Sequence, residues 1–353
     1  MTYRTLSARD LAVLDATCAG AGVYGRDDLC CVVGRGKHHV RFLHALLTAP
    51  FEGRAAGDWF EATATDAKGR MVAYVRCLAR ADSVELWVER ALAQALIDHL
   101  LAHRVAERLT LEIDDERALM EVLGPGAAAF AGLLPAESFA YLDCIGRLGG
   151  PALPNQASPW PLPRVSASLA RAELPTSLPA LLAAGAGVGC LAAGEALRVG
   201  AGLPRLKSDL HDGSTPLELA HAGAVSLQKG CYLGQEALAM QAWRGQLRRA
   251  LCWLRPEPDA AGGGSATPPP GAALYDGRGR KVGNAGAGIQ GPGAPGDGAG
   301  LALGLGVVQR KAASPGASLT WRDEAHGAGL VRVVDTVQAA AFGGAAAEGS
   351  PAP

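Results

Sequence analysis

The sequence predicts an α+β protein built from more than one unit. Three observations lead there. In the first third of the chain, strand-like runs surround one amphipathic helix, the order expected of a ferredoxin-like unit. Beyond Gly245 the helical periodicity stops, and short strands separated by glycine turns take over, which fits a small β-barrel. The length of 353 residues suits two or three domains.

Taken in order, residues 5–20 carry helical spacing (Leu6, Leu11, Leu14) and end at Gly20. Leu29 to Val33 is a short strand. Val40, Leu43, Leu46 and Leu47 share one helical face. The intervening Gly34-Arg35-Gly36-Lys37 is not a phosphate loop: Cys31 and His38 stand where a glycine and a Ser or Thr are needed. His38, His39 and His44 lack carboxylate partners at ligand spacing and read as surface residues. Trp59 to Thr65 and Met71 to Leu78 flank Asp66-Ala67-Lys68-Gly69-Arg70, a hairpin. Val84 to Val88 alternates as a strand. Ala91 to Leu109 reads as one amphipathic helix with Leu92, Leu96, Leu100 and Val105 in phase, followed by a strand over Leu109 to Ile113.

Residues 146–163 are rich in Gly and Pro and read as a linker. Helical patterns follow over Leu169–Ala184 and Gly189–Ala196. The barrel is expected over 246–338, with strands at Gln246–Arg255, on either side of Asp276-Gly277-Arg278-Gly279, and at Leu301–Val308 and Gly329–Val337. Residues 258–272 and 285–300 read as Gly/Pro/Ala-rich mobile loops, and 339–353 as a disordered tail.

Net charge is −1 and the hydrophobic fraction is 49% with only 5% aromatics. Such a charge gives no bulk electrostatic reason to expect nucleic acid or an anionic membrane as partner. Eight cysteines make no C-x-x-C pair and no zinc or iron–sulfur spacing. No signal-peptide core opens the chain, and no apolar run is long enough to span a membrane. The expectation is a soluble, cytoplasmic protein with no metal site of its own.

The stretch most informative about chemistry is Lys229-Gly230-Cys231-Tyr232-Leu233-Gly234-Gln235-Glu236. Two glycines bracket a cysteine and an aromatic, so the backbone turns tightly or approaches something closely. Helix formers follow from Ala237 to Trp243. A cysteine ahead of a helix, with Lys229 nearby, is expected to favour the thiolate. The alternative for Cys231 is a small buried apolar residue.

This K-G-C-Y-x-G-Q-E block resembles the signature of the folate-binding YgfZ/Iba57 family, related to the glycine-cleavage T-protein (aminomethyltransferase). Leu197-Arg198, Gly202-x-Pro204, Glu218, Val225-Ser226, Arg244-Gly245 and Arg248-Arg249 fall in family order around it. Arg41-Phe42-Leu43 and Asp66 to Val75 are similar more loosely. The resemblance implies three domains around a central channel: two interleaved α+β subdomains over 1–245, one of them ferredoxin-like, then the barrel. It implies tetrahydrofolate, or a folate derivative, as cofactor. Glu218 would accept hydrogen bonds from the pterin. Arg198, Gly230, Tyr232, Gly234, Gln235, Glu236 and Arg244 would complete the binding set, with Leu197 to Pro204 as a strand and turn before it. Cys231 and Lys229 would carry the chemistry. For Glu218 the alternative is a residue at a helix start after Pro216.

The chain departs from the family at three places. Met240 stands where the family has Arg, and Ala73-Tyr74 stand where the T-protein enzymes have adjacent aspartates. Cys231 replaces an Asp of the T-protein motif, and acid–base help to an aminomethyl transfer needs such carboxylates. The resemblance therefore implies an accessory protein for assembly or repair of iron–sulfur clusters in client enzymes, rather than an enzyme of the T-protein kind. The alternatives are a folate-dependent aminomethyl or one-carbon transferase, and a scaffold that has lost folate. The implied partners are iron–sulfur client enzymes or assembly proteins, with no direct nucleic acid and no membrane.

Overall fold

Alternation along the strands decides which face of each sheet is apolar, and two sheets meet as a result. The computed structural model describes residues 4–146, 150–151, 153, 159–207, 209, 213–219, 222–243, 247–257, 267–291 and 302–337. The chain opens with β1 (Arg4–Thr5), α1 (Ala8–Ala19) and β2 (Gly22–Gly25). Ser7 and Asp10 form a reciprocal capping box that starts α1.

The ferredoxin-like unit follows: β3 (Leu29–Arg35), α2 (His39–Leu46), β4 (Trp59–Thr65), β5 (Met71–Ala79), β6 (Ser83–Glu89), α3 (Ala93–Leu101) and β7 (Thr110–Asp114). Its antiparallel sheet runs β4-β5-β6-β3-β7, the βαββαβ order with β4 added at one edge. On one face, Val32, Ala62, Val75 and Leu86 pack with Leu43, Leu96 and Leu100 of the two helices. Each fully buried Leu there contributes about 1.5–3 kcal/mol. The other face carries Trp59, Leu78, Trp87 and Cys31 and packs on Leu119 of a second sheet.

That second sheet, in the order β11-β2-β8-β10-β9, combines β2 with β8 (Arg117–Leu123), β9 (Tyr141–Ile145), β10 (Leu162–Ala170) and β11 (Gly187–Val188). α4 (Leu174–Ala183) covers its outer face, with Leu181 packed among Val122, Val165 and Leu169. α5 (Leu191–Gly200) packs on α1. A short 3₁₀ turn at Pro216–Leu219 and α6 (Gln235–Trp243) lead to the barrel. Its strands are β12 (Arg249–Glu257), β13 (Ala273–Tyr275), β14 (Lys281–Gln290), β15 (Ala302–Gln309), β16 (Ser318–Asp323) and β17 (Gly327–Thr336). They close in the ring β14-β13-β16-β17-β12-β15-β14, and β1 adds in parallel to the end of β14.

Several expectations are corrected. The helix expected over Ala91–Leu109 is α-helical only from Ala93 to Leu101, and Val105 is 93% exposed. The chain has to turn there, because Leu109 is buried and β7 must reach β3. Leu197–Pro204 is not a strand: it is the last turn of α5 and a reversal at Gly202, whose φ is +72°. The first residues of the helix expected over Leu169–Ala184 end β10. Residues 285–290, expected in a loop, belong to β14 and pair with β15. β8, β9, β10 and β16 were not anticipated. The rest of that loop beyond Gly291, residues 258–266 and the tail 339–353 lie outside the described residues, as does part of the 146–163 linker. No helix among the described residues is long and apolar enough to cross a membrane.

Candidate functional site: a displayed cysteine and a charged channel

The C-terminal end of α2 holds the signature loop in place. The last carbonyls of any helix lack intrahelical partners. Here the loop supplies two of them: the Lys229 ammonium donates to the His44 carbonyl, and the Leu233 N–H donates to the Ala45 carbonyl at 3.3 Å. His44 returns the contact. The Glu52 N–H donates to His44 Nδ1 at 3.2 Å, so Nε2 carries the proton and donates to the Lys229 carbonyl, also at 3.2 Å. Thr65 Oγ1 donates to the Leu233 carbonyl at 2.7 Å from the other side.

Fixed at Lys229 and Leu233, the loop arches between them. Gly230 has φ +78° with open space around it, Cys231 is exposed at the crest, and Tyr232 turns back into the protein. The Lys229 ammonium lies 4.8 Å from the Tyr232 ring centroid. Burial lowers the Lys229 amine to about 8 against the opposing charge of Glu52. Gly234 (φ +83°) is wedged against the β4–β5 turn, where a Cβ would meet the Asp66 carbonyl and stand 2.8 Å from Thr65 Oγ1. Gln235 and Glu236 then open α6, along which Glu236, Met240 and Trp243 face outward.

The second feature lies between the two sheets. Cavities of about 1050 Å³ and about 480 Å³ share Glu61, Arg76, Ile145, Arg164 and Leu203 and so adjoin, the two together making up the channel region. At its centre the buried Glu121 meets three guanidiniums, accepting from Arg26 at 2.8 Å, from Arg76, and from Arg164 at 3.4 Å. Burial opposes the Glu121 charge, but Arg26, Arg164 and Arg76 outweigh it and hold the carboxyl far below the usual range. Arg164 is also held by both oxygens of Asp143, and Arg76 donates to Ser166 at 2.8 Å. Burial and the nearby Arg164 lower Arg76 in turn.

The expected site residues divide between these places. Arg198 lines the larger cavity from α5, and its guanidinium is committed to Glu195, the Leu203 carbonyl and Asp209. Glu218 is buried in the 3₁₀ turn, away from the residues lining either cavity. It accepts from Arg249 Nη2 at 2.8 Å and Nε at 3.2 Å, and from the Thr215 N–H at 3.1 Å. Lys229, Gly230, Cys231, Tyr232, Gly234, Gln235 and Glu236 build the loop and the start of α6, and none lines the two cavities. Arg244 lies outside the described residues. Sequence reasoning missed Arg26, Arg76, Glu121, Arg164 and the clamp at His44. A lone Glu inside the apolar run Ala118–Leu123 was the available signal for Glu121.

No family model matches the chain. Among curated proteins it is 29% identical over 232 residues to the tRNA-modifying protein YgfZ of Edwardsiella ictaluri, covering 65% of this chain and 69% of that one. It is 28% identical over 231 residues to the YgfZ of Shigella dysenteriae, with 65% and 69% covered. Among solved structures, glycine cleavage system aminomethyltransferase T from Bartonella henselae superposes with a TM-score of 0.69 at 19% identity, covering 92% of this chain and 88% of that one. That likeness establishes the fold: α+β units and a closed barrel. The chain is thus similar to the YgfZ proteins over 65% of its length, and it has the fold of aminomethyltransferase T.

Proposed function

We propose that the protein binds tetrahydrofolate, or a folate derivative, in the inter-sheet channel and acts as an accessory protein for assembly or repair of iron–sulfur clusters in client enzymes. Cys231 is the thiol it offers them. The observation that carries this reading is the loop itself: its two ends are bonded to α2 while Cys231 stands exposed between them. A structural cysteine of similar size would be buried. The relatives' name, tRNA-modifying protein, supports iron–sulfur enzymes that thiolate tRNA as the client class. It needs no contact of this chain with RNA.

The channel fits the cofactor by volume and by donor set. About 1050 Å³ accommodates a drug-sized ligand. Trp87, Tyr24 and Tyr74 offer flat apolar walls. Carboxylates suit the N–H edge of a pterin, and arginines suit an anionic glutamyl tail. Arg4 and Arg205, at the cavity wall, are the cations for that tail. When bound, the cofactor supplies one-carbon carrier chemistry; the chain's own residues bind and orient it and hold the thiol at the surface.

Calorimetric titration of the oxygen-free protein with tetrahydrofolate tests the first half, with saturable one-to-one binding expected. Absence of binding would remove the cofactor from the reading. For the second half, Cys231→Ala is expected to fold normally, with stability within about 0.5 kcal/mol of the parent as for an exposed site. It should fail to restore iron–sulfur enzyme activity in cells lacking the homologue. Full restoration would end the thiol role.

A further inference from the structure

Ala73 and Tyr74 bring no carboxylate to the β4–β5 hairpin, but Glu61 brings one from the neighbouring strand. In the β4–β5 register Glu61 stands opposite Arg76 and Thr63 opposite Tyr74. All four side chains therefore project from one sheet face, toward the channel. Glu61 and Tyr74 are diagonal neighbours there, and the Tyr74 hydroxyl is hydrogen-bonded to Glu61. Burial, and then the Glu61 charge, raise Tyr74 well above its ordinary value, so its hydroxyl keeps its proton and donates. Glu61 is half-buried and lines both cavities, on the wall they share.

Most other carboxylates near the channel are committed to arginines, and Glu89, which lines only the larger cavity, accepts from the Leu206 N–H at 2.7 Å. Glu121 is buried beneath three guanidiniums, and Asp143 holds Arg164 with both oxygens. Glu218 is outside the cavity lining and held by Arg249. A carboxylate on the shared wall can accept two parallel N–H donors from the N–C–N edge of a flat heterocycle. Arg76 and Arg164 flank the pair and favour its negative charge.

We propose that Glu61, oriented by the Tyr74 hydroxyl, is the group that recognises the ring N–H and exocyclic amine of the heterocycle bound in this channel. The proposal rests on the folate reading and names the chain's own carboxylate for the pterin. It places that role on β4 instead of on Glu218.

The test is a set of titrations with tetrahydrofolate and with 6-methyltetrahydropterin, which has the ring without the glutamyl tail. Wild type, Glu61→Gln, Tyr74→Phe and Glu218→Gln are compared, with thermal melts as a check on folding. Glu61→Gln is expected to weaken both ligands by about 10- to 100-fold, the loss typical of a charged hydrogen bond. Tyr74→Phe, which keeps the ring, should weaken both by roughly 3- to 10-fold. Glu218→Gln should leave both unchanged. Wild-type binding with undiminished affinity in Glu61→Gln and Tyr74→Phe would overturn the assignment while leaving the folate reading intact. A wild type that binds neither ligand would overturn both.

Discussion

The signature loop and the inter-sheet channel are built on opposite plans. The loop is a contiguous stretch shaped by backbone: carbonyls of α2 hold it at two points, and two glycines supply positive φ. The channel is assembled from single side chains on β5, β8, β10 and the segment after β2, far apart in sequence and brought together by strand register within each sheet and by the packing of the two sheets. The first plan fixes where one atom, the Cys231 sulfur, is displayed. The second fixes a balance of buried charge. A change in the loop should move the thiol and cost little; a change in the channel should threaten the fold.

The sharpest way to break this contrast is Glu121→Gln. It leaves three guanidiniums around a neutral amide, and removing one partner of a buried ionic cluster costs about 3–5 kcal/mol. Urea unfolding should show that loss; a change under 1 kcal/mol would mean water or ligand, not Glu121, balances the arginines. Next comes Gly234→Ala, which forces a Cβ into the Asp66 carbonyl at positive φ. A cost of about 1–3 kcal/mol is expected. Faster alkylation of Cys231 by iodoacetamide should accompany it as the loop lifts off the hairpin.

The smallest effect concerns Lys229. Its amine titrates near 8 in the folded protein, below the ordinary lysine value of about 10.4. The unfolded chain therefore binds more protons between those values, and stability gains from this group as pH rises from about 8 to about 10.4. Below pH 8 both states are charged and the gain is absent. Lys229→Met should flatten that rise, and amine labelling at Lys229 should show a midpoint near 8. A midpoint near 10.4 would place the side chain in open water.

The same contrast explains what was legible in the sequence. Lys229, Gly230, Cys231 and Gly234 announce themselves because backbone demands fall on neighbouring residues. The ferredoxin-like order could be read from the periodicity of β3, α2, β5, β6 and α3. The second sheet could not, because β9 and β10 flank a Gly/Pro-rich stretch and β10 mixes Ser with apolar residues. Glu218 looked available to a ligand because nothing near it in sequence predicts that Arg249, from the first strand of the barrel, fills both its oxygens. Tyr74 looked like the mere absence of a carboxylate until the β4–β5 register set Glu61 diagonally beside it.

The pairing of β1 with β14 bears on how the molecule is made. Leu6, Leu11 and Leu14 share one core with Trp253, Ile289, Leu303 and Leu305, which lie far downstream in the barrel. Such long-range closure is slow to form. On the ribosome, α1 can dock on α5 early, but the barrel side of this core stays uncovered until β14 and β15 have emerged, and the nascent protein is most exposed to misassembly in that interval.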